Sequence, residues 1–274
     1  MSPLYFRHPL AIRVMHWTNV VAVTILLMSG LNIFNAHPSL YWGKSSYTND
    51  PPILTLGASQ RPGGELAGKT TLFGHEIDTT GVLGASRNSQ GQMVARGFPA
   101  WATLPDDQWL SMARRWHLFF AWVFAINGIA YVAYSIATRH LSRDLSPHRS
   151  EWRTIPQSIR DHLRFKHPTG EAAKRYNVLQ KLAYLAMIFV VLPMLILMGL
   201  GMSPWMDTFL PGWVGFFGGR QSARTLHFAA ACFLMAFVLV HVFEVIVTGL
   251  WNNLRSMITG KYRVPEEKPV EPQP

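Results

Sequence analysis

Four long stretches of this chain carry almost no charge, and that feature constrains its fold more than any other. Val14 to Gly43 contains no Asp, Glu, Lys or Arg, and its apolar part ends near Phe34. Trp116 to Thr138 and Leu182 to Met206 are the second and third runs. Thr225 to Phe243 is the fourth, continuing past a single Glu244 to Leu250. Each approaches or exceeds the roughly 20 apolar residues that a helix needs to cross a bilayer core. A backbone in lipid must satisfy its own hydrogen bonds, so the runs are expected as helices. Only 15% of residues are charged, against about 25% in an average soluble domain, so an ordinary water-soluble enzyme is a poor match. The predicted fold class is an all-α membrane protein, a four-transmembrane-helix bundle within residues 1–254. Its spans are expected at about 13–34, 116–138, 178–202 and 224–250. The first is read as an uncleaved anchor rather than a secretory signal, because it is long and has His16 at its front edge.

Charge sorts the connections. Residues 139–175 hold nine Lys or Arg against four acids, whereas 35–110 holds five basic and six acidic residues. The positive-inside rule then predicts both termini in the cytoplasm of a bacterial inner-membrane protein. A long periplasmic loop, residues 35–112, would join helices 1 and 2, and a short turn, 207–222, would face the same side. The formal charge of +10 is explained by this topology and by lipid headgroups, not by nucleic acid. Within the loop, Thr70 to Phe73 and His75 to Asp78 suggest a hairpin around Gly74. The loop as a whole reads equally as an unstructured insertion or as a docking surface for a periplasmic partner. Thr154-Ile155-Pro156-Gln157 reads as a helix start, with the helix along the membrane surface. Residues 255–274 are read as a cytoplasmic disordered tail.

The only cysteine, Cys232, excludes a disulfide, a thiolate-held cluster and a CxxCH haem attachment, and reads as a small residue in the membrane. Any redox centre is then expected to be held by something other than sulfur. Of eleven histidines, only His16, His117, His227 and His241 lie in or at the edge of the spans, where ionisable side chains are costly. His227 and His241 are fourteen residues apart, which places them within about 40° of one face and about 21 Å apart along the axis. That separation suits two sites rather than one ion. Matching depths pairs His117 with His227 on the periplasmic side and His16 with His241 on the cytoplasmic side. Two facing imidazoles form the axial ligand set of a b-type haem, so two haem b groups are expected.

Glycines support this reading. Gly30 shares the face of His16 at the depth of the outer pair, and Gly128 lies near the face of His117 at the depth of the inner pair. A residue without Cβ lets a macrocycle approach the backbone, although small residues also pack helices together. Arg13 at one end, and Arg114, Arg115 and Arg224 at the other, suit either haem propionates or interfacial anchoring. Glu244, one turn beyond His241, suits either proton exchange with a quinone or a snorkelling charge.

With these residues in place, the chain resembles the bacterial cytochrome b561 and hydrogenase- and formate-dehydrogenase-type cytochrome b family. The matching pieces are Arg13-Val14-Met15-His16-Trp17, Arg115-Trp116-His117, and His227 with His241. The resemblance covers all four spans and leaves open the thiosulfate-reductase-type cytochrome b group. It implies a di-haem carrier linking a periplasmic redox subunit, often a molybdenum or nickel–iron enzyme, to the membrane quinone pool. It also implies that the four histidines are axial ligands. The long loop departs from short family members. Two other functions remain open on sequence: a self-sufficient superoxide:quinone-type oxidoreductase, and a non-haem metal transporter.

Overall fold

The computed structural model describes residues 4–46, 50–164, 170 and 175–264. Four helices are long and apolar enough to cross a membrane: Leu10–Asn35, Leu110–Ala137, Val178–Gly201 and Arg220–Val247, the first to fourth spans. Among the described residues, eight short strands accompany them: β1 (Leu4–Phe6), β2 (Ser39–Leu40), β3 (Leu54–Gln60), β4 (Leu66–Leu72), β5 (His75–Asp78), β6 (Ala85–Arg87), β7 (Met93–Ala95) and β8 (Lys261–Arg263). The expected all-α class is therefore corrected to a mostly helical chain with a β-rich insertion.

The spans are polar inside and apolar outside. Ser29, Asn32, Ser135 and Ser222 are at most 1% exposed, while Leu118, Phe119, Ile129, Phe233 and Leu239 stand outward. Lipid is as good a solvent as a leucine core, so small and polar residues hold such helices together. Cys232 is among the exposed residues of the fourth span. The second span starts at Leu110, earlier than the expected 116, and takes Arg114 and Arg115 into the helix. Helical hydrogen bonding does not stop where the hydrocarbon ends. The third span opens with an Asn177 capping box. It widens to a π-turn at Met187–Val191, just before Pro193. A proline has no N–H and crowds the carbonyl four residues back, and a wider turn relieves both problems.

The chain divides into two compact units. One holds residues 1–18, 127–192 and 233–274; the other holds 19–126 and 193–232.

In the first unit, β1 pairs antiparallel with β8, with Tyr5 opposite Tyr262. The expected disordered tail from 255 is thus corrected over its described part: Leu250–Thr259 is a helix and β8 follows it. The signal missed was pairing with a segment at the other end of the described chain, Tyr262 lying 257 residues after Tyr5, which no local pattern reveals. Residues 265–274 lie outside the described residues. Arg13 Nη1 donates to the carbonyl of Ile258, and Trp17 Nε1 to that of Met257 at 3.1 Å. The helix Ile155–Leu163 begins where expected, with Pro156 in its first turn. Nearby, the Lys181 ammonium donates to both carboxylate oxygens of Glu151, each at 2.9 Å, with Lys181 almost fully buried. This pair and the N–H of His148 hold the Glu151 carboxyl below its usual pKa, against the opposing effect of burial.

In the second unit, the connection between the first two spans is ordered across its described residues, which removes the reading of an unstructured insertion. Its main sheet runs β2-β3-β4-β5, and β6 pairs with β7. The hairpin expected around Gly74 is present, with Leu72 opposite His75. Phe73 and Gly74 both have positive φ, the conformation of a type I′ turn. Gly68 is required by close approach: a Cβ there would lie 2.1 Å from the Leu83 carbonyl oxygen. The spans grip this insertion directly. Asn32 Nδ2 donates to the carbonyls of Pro105 and Asp107, and Asn35 bonds both backbone groups of Phe98. From the fourth span, Ser222 accepts from the Gly43 N–H and Thr225 donates to the Tyr41 carbonyl. Leu40 and Leu56 pack on Phe34, and Phe98 and Phe228 close the cluster. The connection expected as a turn at 207–222 contains short helices, Pro204–Phe209 and Trp213–Phe216.

Candidate functional site

Each unit brings together one pair of the four intramembrane histidines. In the second unit the rings of His117 and His227 have centres 6.2 Å apart at 65°. In the first, His16 and His241 have ring centres 6.3 Å apart at 74°. With a metal–nitrogen bond of about 2.0–2.1 Å, as for histidine on zinc, and a ring nitrogen about 1.1 Å from its ring centre, two imidazoles on opposite sides of one metal ion have centres about 6.3 Å apart. Both pairs have that spacing.

Around the His117/His227 pair, hydrogen bonds fix which ring nitrogen is free. His227 Nδ1 lies 2.9 Å from the Leu195 carbonyl oxygen. His117 Nδ1 lies 3.1 Å from the Leu26 carbonyl oxygen and 3.1 Å from Ser29 Oγ. Ser29 itself donates to Ile25 at 2.6 Å. A carbonyl only accepts, so both Nδ1 atoms carry the proton and both Nε2 atoms keep a lone pair. This is the usual arrangement of a ligating histidine, whose outward N–H is held by an acceptor. Two glycines make room for the rings. A Cβ on Gly30 would meet His117 Cε1 at 3.2 Å, and one on Gly199 would meet His227 Cε1 at 3.5 Å.

The His16/His241 pair sits among aromatics instead. Trp17 meets His16 edge-on at 5.6 Å, and Phe237 lies nearly parallel to His241 at 6.0 Å. Tyr184 contacts Phe237, and Tyr176 contacts Tyr184. Asn127 donates to the Met15 carbonyl at 2.8 Å, which ties the second span to the first beside His16. Next to it, a Cβ on Gly128 would meet nothing within 4 Å. His8, just before the first span, is held neutral, its pKa lowered to about 4 by burial and then by Arg7, His16, His140 and Arg13.

The remaining expected residues separate. Arg224 is taken up by the insertion: it donates to the carbonyls of His37 and Ser39 and stacks on Phe34. Arg13 is engaged with Ile258, while Arg114 and Arg115 are exposed. Glu244 is half-buried on the fourth span. Sequence reasoning missed Ser29, Leu195 and Gly199. Ser29 and Gly199 carry a signal in retrospect, as small residues inside a span. The carbonyl of Leu195 carries none.

The sequence profile of the prokaryotic cytochrome b561 family matches residues 7–260, and the chain belongs to that family. It is a multi-pass membrane cytochrome that carries electrons on b-type haem. Two relatives are 27% identical to it. One, from Azospira oryzae, is provisionally named protein-methionine-sulfoxide reductase subunit YedZ1; the match covers 94% of this chain and 98% of the relative. The other, from Cupriavidus necator, is provisionally named Ni/Fe-hydrogenase B-type cytochrome subunit; that match covers 53% of this chain and 64% of the relative. Haem b fits the donor set. Each pair offers two imidazoles, and among the described residues no cluster of three or more His, Cys, Asp or Glu forms a metal cage. A macrocycle supplying four nitrogens would take two such imidazoles to reach six-coordination.

Proposed function

We propose that this chain holds two b haems, one between His117 and His227 and the other between His16 and His241. In this reading it passes electrons between membrane quinone and a redox subunit docked on the β-rich insertion. The observation that carries the reading is the repeated 6.2 and 6.3 Å imidazole spacing. Haem supplies the one-electron iron couple when bound. The residues of this chain do the rest. The four imidazoles hold the groups; the Leu26, Leu195 and Ser29 acceptors raise the basicity of two of them. The lipid-facing shell keeps water away. Gly30 and Gly199 leave room beside the rings, Gly128 has open space about it, and the exposed Arg114 and Arg115 are the candidates at one end for propionate pairing.

The insertion side is taken as periplasmic, with both termini cytoplasmic and the inner membrane as location. Glu244, near His241, is the proton-exchanging group for quinone. The relative that matches nearly end to end is named as a reductase subunit, which favours a reductase partner over a hydrogenase. A reductase consumes electrons, so the flow runs from quinol to the partner.

The test is haem content. Pyridine haemochrome analysis of the purified protein should give two haem b per chain. Replacing His227 or His241 with Ala should leave one in each case. A content of one or none in the wild type, or two retained in either variant, would overturn the assignment.

A further inference from the structure

Two residues past the fourth span, the chain forms a groove of about 390 Å3, lined by Gly249, Leu250, Trp251, Asn252, Arg255 and Arg263 among others. We infer that this groove holds the phosphate of an acidic phospholipid from the adjoining leaflet. Arg255 and Arg263 both line it, and among the described residues no carboxylate does. Asn252 positions both arginines: its Oδ1 accepts from Arg255 Nη2 at 3.2 Å and from the Arg263 backbone N–H at 2.9 Å. Its Nδ2 donates to the Arg263 carbonyl at 2.8 Å. Two arginines side by side, tied together through one asparagine, call for an anion with several acceptor oxygens.

The location selects the source of that anion. Trp251, 79% exposed, stands beside the groove, and the last turns of the span expose Phe243, Ile246 and Val247. Tryptophan favours the membrane–water boundary, and basic pockets at helix ends bind lipid headgroups. A diacyl lipid thus satisfies the arginines with its phosphate and the exposed apolar residues with its chains. A free phosphate satisfies only the first. The inference is independent of the haem assignment and of which side this end faces.

The experiment is native mass spectrometry of the haem-loaded protein, delipidated and then offered phosphatidylglycerol or phosphatidylcholine. The wild type should retain about one phosphatidylglycerol per chain and little phosphatidylcholine. At the usual weight of one arginine near a lipid surface, Arg263→Gln should weaken retention about fivefold, and R255Q/R263Q about thirtyfold. Arg263 is exposed, so the single variant stands as the test where the double variant does not fold. Equal retention of the two lipids, unchanged retention in Arg263→Gln, or equal thermal stabilisation by inorganic phosphate alone would overturn the inference.

Discussion

His227 donates its Nδ1 proton to the carbonyl oxygen of Leu195 at 2.9 Å, fastening a side chain of the fourth span to the backbone of the third. The third span contributes none of the four paired histidines, yet it sets the orientation of one of them. Its Gly199 faces the same ring. Gly199→Val should therefore displace His227 and empty that pair. Haem content should fall from two to about one per chain, with the spectrum of the remaining haem unchanged. Full retention of both would show that the third span has no such role.

Gly30 plays the matching part for His117, at a tighter 3.2 Å. Gly30→Leu is expected to lower occupancy of the His117/His227 pair more than Gly30→Ala does. Gly128 has open space around its missing Cβ. If haem occupies that space, Gly128→Leu should disturb only the His16/His241 pair. Redox titration of each variant separates the two effects.

Ser29 is one of two acceptors on His117 Nδ1, the other being the Leu26 carbonyl. An acceptor there makes the imidazole a stronger donor and favours ferric iron. Ser29→Ala should raise the potential of one haem and leave the other unmoved, with the haem content still two. Spectroelectrochemistry reads this directly.

Arg224 ties the start of the fourth span to the carbonyls of His37 and Ser39. Hydrogen bonds to a charged donor contribute about 1.5–3 kcal/mol each, though partial exposure reduces that here. Arg224→Ala should make the insertion more sensitive to limited proteolysis and weaken binding of the partner subunit. Both haems should remain.

His8 gives a pH dependence. Its folded pKa of about 4, lowered first by burial and then by Arg7, lies below the unfolded value near 6.5. Between these values the unfolded chain binds the extra proton, so stability is present above pH 6.5 and falls as pH drops toward 4. The thermal midpoint should decline across that window, and His8→Gln should flatten the decline.

The spans and the histidine pairing were legible because both rest on simple periodicities: a run long enough to cross the membrane, and 100° per residue along a helix. The Phe73-Gly74 turn was legible because glycine sits between two strand-like tetrads. The roles of Arg13 and Arg224 were open because a guanidinium beside a span suits many partners, and only the fold brings Ile258 or His37 to it. The order of residues 255–264 was hidden for a related reason. Its stabilising partners are Tyr5 and Arg13, which no window around residue 260 contains.

That last arrangement has a consequence for biogenesis. The contacts of Tyr5 with Tyr262 and of Arg13 with Ile258 cannot form until residues 258–262 have left the ribosome, after all four spans have been made. Arg13 stands three residues from His16, so the clasp beside that histidine closes only after the fourth span has been made. A chain cut short before Ile258 keeps the sequence of all four spans yet lacks the partners that fasten this end.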